Sequence, residues 1–65
     1  MNSDTLKGQW RQLQGEVKKQ WGELTDDDVD RIDGECNKFV GAVQESYGIE
    51  RDEAERRLRE WNPPL

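Results

Sequence analysis

The sequence predicts an all-α fold: a small helical bundle formed by an antiparallel hairpin of two internally repeated helices plus a shorter third helix. Three observations carry this. Apolar residues recur at steps of three and four in two long stretches, turn and capping residues separate those stretches, and the second repeats the first after 26 residues. Steps of three and four gather side chains into one stripe of a helix with about 3.6 residues per turn.

The first stripe is Leu6, Trp10, Leu13, Val17, Trp21 and Leu24, which predicts a helix over about 4–22. Ser3 or Asp4 can cap its start by accepting a backbone N–H, and Gly22 offers its stop. Thr25-Asp26-Asp27-Asp28 is the next start signal. Thr25 suits the cap position, Asp28 stands three residues on where a capping box places its acid, and three carboxylates suit the positive end of a helix dipole. The second stripe, Val29, Ile32, Cys36, Phe39, Val40, Val43 and Tyr47, predicts a helix over about 26–47 closed by a left-handed Gly48. Ala54, Leu58 and Trp61 predict a third helix over about 51–61, with Asp52–Arg56, Glu53–Arg57 and Glu55–Arg59 as surface pairs and Asn62-Pro63-Pro64 as its stop. Residues 1–65 form one domain, with Trp10, Leu13, Val17, Trp21, Ile32, Cys36, Phe39, Val43, Tyr47 and Leu58 as its expected core.

A slide of 26 residues sets Gly8, Gly15 and Gly22 on Gly34, Gly41 and Gly48, and Leu6, Leu13, Val17 and Trp21 on Ile32, Phe39, Val43 and Tyr47. On a helical wheel Gly8 and Gly15 fall about 180–200° from Leu6, opposite the stripe, and Gly34 and Gly41 take the same outward place in the second helix. Glycine inside a helix costs about 1 kcal/mol relative to alanine. Gly8, Gly15, Gly34 and Gly41 are therefore the candidate partner face, where bare backbone lets a second helix approach; inherited tolerance of labile helices is the plainer explanation. Lys18–Asp30 and Arg11–Asp33 are the ion pairs expected across the hairpin.

Composition excludes most chemistry. With 65 residues the chain has room for one small core, and it has no histidine, the commonest general base and metal ligand. Cys36 lies within an apolar stripe with no base to activate it. Asp26, Asp28 and Asp30 open like a calcium loop, but Arg31 stands where its glycine belongs and Asn37 where its closing acid belongs, so helix capping accounts for them. The tryptophans Trp10, Trp21 and Trp61 are spaced for a core rather than for stacking a ligand. Gly8, Gly15 and Gly22, seven apart, do not form a phosphate loop. No catalytic residue, cofactor site or metal site is expected. A net charge of −5 argues against nucleic acid and against an anionic membrane as partner. No apolar run reaches the ~20 residues of a membrane span, and a single cysteine suits a reducing cytoplasm.

Gly8-x-Trp10, Gly15, Trp21-Gly22, Leu24-Thr25-Asp26-Asp27-Asp28, Ile32, Gly34, Gly41, Gln44-Glu45-x-Tyr47-Gly48 and Ala54-Glu55 together resemble the CsbD-like family of the YjbJ type. The resemblance covers roughly residues 2–61. It implies a compact all-helical fold and a cytoplasmic role in the bacterial general stress response, and it carries no agreed molecular activity and no catalytic residue to transfer. Gln14-Gly15-Glu16 departs from the lysines that often flank that glycine in the family, which weakens a basic binding face on the first helix. The Trp61-Asn62-Pro63-Pro64 ending is a second departure. Two functions from different classes follow: a hydrophilic stress protectant, or a module that binds a protein or forms a homodimer through its glycine-lined faces.

Overall fold

A computed structural model of the chain describes residues 3–61, and among them every regular element is a helix. Four helices follow in order: α1 (Ser3–Gln20), α2 (Asp26–Ile32), α3 (Cys36–Tyr47) and α4 (Arg51–Glu60). Helix α1 contains Ser3 and Asp4, so the residue that would cap it and the side chain of Ser3 lie outside the described residues, as does the Asn62-Pro63-Pro64 stop.

The first departure from expectation is the break at Asp33-Gly34. The helix expected over 26–47 is two helices, because Asp33 (φ 46°) and Gly34 (φ 78°) both adopt left-handed backbone. The Asp33 N–H still donates to the Val29 carbonyl and the Glu35 N–H to that of Ile32 (2.9 Å), so the last turn of α2 is closed before the chain reverses. Tertiary packing makes glycine necessary at this break: a Cβ on Gly34 would sit 2.6 Å from the Lys7 Cα. Gly34 is thus buried against the backbone of α1 and does not belong to the outward glycine face.

The break also changes the topology. Helix α2 doubles back along α1, with Lys18 paired to Asp26 at one end and Gly34 against Lys7 at the other. The antiparallel hairpin therefore survives as α1 and the seven-residue α2 only. Helix α3 starts beside Lys7 and ends where the Tyr47 hydroxyl accepts from the Glu23 N–H (3.4 Å), so α1 and α3, the two long repeats, run in the same sense. Lys18 meets Asp26 one helical turn away from the expected Asp30, and no ion pair joins Arg11 to Asp33 among the described residues, since Asp33 has left the helix.

Burial drives this arrangement. Leu6, Trp10, Leu13, Val17, Trp21, Leu24, Val29, Ile32, Phe39, Val40, Val43 and Ala54 form one continuous core. Cys36, Tyr47 and Leu58, expected inside it, are half-buried at its edge, with Ala42, Ile49 and Trp61. Phe39 is its centre: its ring meets Trp10 at 5.8 Å, Trp21 at 5.0 Å and Trp61 at 6.0 Å, each edge to face, the geometry aromatic quadrupoles favour. Trp61 also packs on Trp21 at 4.6 Å, which ties the end of α4 to the end of α1. The radius of gyration, 10.5 Å, matches the ~11 Å of a well-packed chain this long.

Candidate functional site

Chemistry-bearing side chains are scattered over this bundle. Among the described residues no three His, Cys, Asp or Glu side chains converge to hold a metal ion, and no polar or charged side chain is buried. The acids of α2 have a structural use. Thr25 Oγ1 accepts from the Asp28 N–H (3.1 Å) while Asp28 Oδ2 accepts from the Thr25 N–H (3.0 Å), a reciprocal capping box that fixes the start of a helix too short to persist alone. Gly48 (φ 63°) ends α3, its N–H donating to the Gln44 carbonyl, and the Ile49 N–H donates to the same oxygen (3.2 Å).

The glycines of the candidate partner face are not brought together. Gly8 and Gly15 are exposed on α1 and a Cβ there would meet nothing within 4 Å. Gly41 is equally open but lies on α3 in a shallow depression shared with Asp28, Arg31 and Ala42. Gly34 is the exception described above.

Helix α4 carries the ionic network of the molecule. Arg56 binds Glu53 in bidentate fashion (2.6 Å) and reaches Glu60 (3.2 Å), Arg57 joins Glu53 (3.4 Å), and Arg51 joins both Glu55 (2.7 Å) and Asn37 of α3 (3.0 Å). Of the three pairs expected on this helix, Glu53–Arg57 forms. Arg56 turns from Asp52 to Glu53 and Glu60, and Glu55 turns from Arg59 to Arg51, because each side chain takes the nearest opposite charge three or four residues away. The Arg56 hydrogen bonds and charge hold the Glu53 carboxyl below its ordinary 4.5, outweighing partial desolvation, and Glu53 raises the Arg56 guanidinium in turn. Arg57 lies over the Tyr47 ring at 5.9 Å.

One concavity was not legible in the sequence. An apolar groove of about 170 Å³ runs between the start of α1, the start of α3 and α4, lined by Leu6, Cys36, Phe39, Val40, Leu58, Glu55 and Arg59. Its walls are up to 53 residues apart in the chain, so no local pattern announces it.

The family model described as CsbD-like matches residues 4–56, from the first turn of α1 into α4. The chain belongs to the CsbD-like family. A UPF0337 protein of Pseudomonas aeruginosa is 46% identical over 65 residues, covering the whole of both chains. The UPF0337 protein YjbJ of Escherichia coli K12 is 48% identical over 61 residues, 94% of this chain and 88% of that one. No solved structure gives a significant match. The CsbD-like match ends before Trp61, so of the edge-to-face pair described above Trp21 lies inside the matched segment and Trp61 beyond it.

Proposed function

We propose that this CsbD-like chain is a non-enzymatic, cytoplasmic stress-response protein acting as a hydrophilic protectant. One observation carries the reading: the tryptophans are spent on the core. Trp10 and Trp21 are 5% and 3% exposed, Trp61 packs against Trp21, and the 38% of residues that are charged stay at the surface. Such a surface resists association when water is scarce or the cell is crowded. The absence of any helix long and apolar enough to cross a membrane among the described residues is compatible with it.

The test is a dehydration assay in which a labile enzyme is dried and rehydrated with increasing amounts of this protein. Protection should rise steadily with mass concentration and be indifferent to Gly8→Ala and Gly15→Ala. Saturation at one chain per client, or protection no better than that of an unrelated acidic protein, would sink it. A second reading, a binding module, is favoured by the open glycines at 8, 15 and 41, whose cost in helix stability the protectant role does not explain. Under that reading the two alanine variants lose protection.

A further inference from the structure

We infer that the Asp33-Gly34 turn is a hinge through which two copies of this chain exchange halves, α2 and α3 straightening into one helix. The inference does not rest on the protectant reading. Its first support is register. Val29, Ile32, Cys36, Phe39, Val40, Val43 and Tyr47 keep three- and four-residue steps straight through the break, and on a wheel they stay within about 100° of one another. Residues 26–47 therefore satisfy the pattern of a single amphipathic helix about 33 Å long, yet they fold as two.

Only the turn stands between these states. Asp33 is the single non-glycine residue with positive φ among those described, a conformation that an L side chain adopts at a cost. A straight helix removes that strain and adds Asp33, Gly34 and Glu35 to the helical hydrogen-bond ladder. What it gives up is the packing of the two halves of the chain on one another, whose facing surfaces would then lie uncovered.

A second copy is the occupant that covers them. The halves on either side of the hinge, residues 3–32 and 36–61, meet through Trp10 and Trp21 on one side and Phe39 and Trp61 on the other. Each half of one chain thus finds in the other chain the surface it already fits, and the exchanged dimer keeps these contacts while changing only the hinge. Short strained hinges favour such exchange.

The experiment refolds the wild type, Gly34→Ala and Asp33→Gly from denaturant at micromolar and at millimolar chain concentration, with mass measured by analytical ultracentrifugation. Alanine at 34 cannot occupy the hairpin turn without strain and collision with Lys7, whereas glycine at 33 relieves the turn and weakens the straight helix. The wild type should yield a dimer at the high concentration. Gly34→Ala should raise its proportion about tenfold or more, and Asp33→Gly should lower it. Mixing isotope-labelled with unlabelled chains before refolding should place the Trp10–Phe39 ring contact between chains. A wild type that is monomeric throughout overturns the inference. So does a Gly34→Ala chain that unfolds without dimerising, a dimer insensitive to Asp33→Gly, or one whose Trp10–Phe39 contact stays within a chain.

Discussion

A Cβ added at Gly15 would meet no atom within 4 Å, whereas one added at Gly34 would stand 2.6 Å from the Lys7 Cα. The same residue type thus has opposite energetics at positions where the same change, to alanine, can be made. At Gly15 the backbone is helical and exposed, so alanine removes unfolded-state freedom and adds no collision. Gly15→Ala should raise stability by about 0.5–1 kcal/mol, which for a domain this small is an increase in Tm of roughly 2–8 °C. A thermal melt followed at 222 nm measures it, and a fall in Tm would mean that the α1 surface is already in contact with something. The 26-residue repeat made Gly8 and Gly34 look equivalent, and structure separates them completely: one is an open helical site, the other a left-handed turn under α1.

At the scale of elements, what the sequence made legible was local. The stripes of α1 and α3, the Thr25–Asp28 start and the Gly48 end depend on neighbours within one or two turns, and each has its counterpart in the structure. The α2–α3 break was hidden because the apolar steps run through it, and the contact that demands glycine there, the Lys7 backbone, is 27 residues away from Gly34. The apolar groove was hidden for the same reason, since α4 had to be placed before Leu58 and Leu6 could line one cleft. Helix α4 also carries surface ion pairs that depend on pH. The folded-state pKa of Glu53 lies below its ordinary 4.5, so the folded form prefers the ionised carboxylate. The stabilisation is fully present above the unfolded value and is lost as pH falls through the lowered folded value. Between pH 7 and pH 5 the helicity of α4 should therefore hold, and below about 4 it should weaken, with Glu53→Gln flattening that acid limb. Exposed pairs of this kind are screened by ions, so added salt should shrink the difference between the two proteins. Amide exchange at residues 54–60 across that pH range reads it directly, after correction for intrinsic rates, and an acid limb unchanged in Glu53→Gln would remove the pair from the account.

For the whole molecule, magnitude decides what the aromatic cluster means. A chain of this size gains only about 3–5 kcal/mol of net stability from its one core. Phe39 is 1% exposed and its ring touches Trp10 in the first half of α1 and Trp21 just past its end, as well as Trp61 beyond α4. Truncating such a residue costs about 3–5 kcal/mol, as much as the fold possesses. Phe39→Ala should therefore unfold most of the chain at 25 °C, with loss of helical ellipticity and a red shift in tryptophan emission as Trp10 and Trp21 meet water. Leu58→Ala is the matched control, because Leu58 is only half-buried at the rim of the groove and the rest of the core closes without it. That variant should stay folded with a lower Tm. If Phe39→Ala instead melts cooperatively within a few degrees of the wild type, the four helices are held together by something other than this ring. The network on α4 would then be the remaining candidate, since it supplies the Arg51–Asn37 bond that links α4 to the start of α3. High salt would separate the two cases, because it weakens exposed ion pairs while leaving aromatic burial intact.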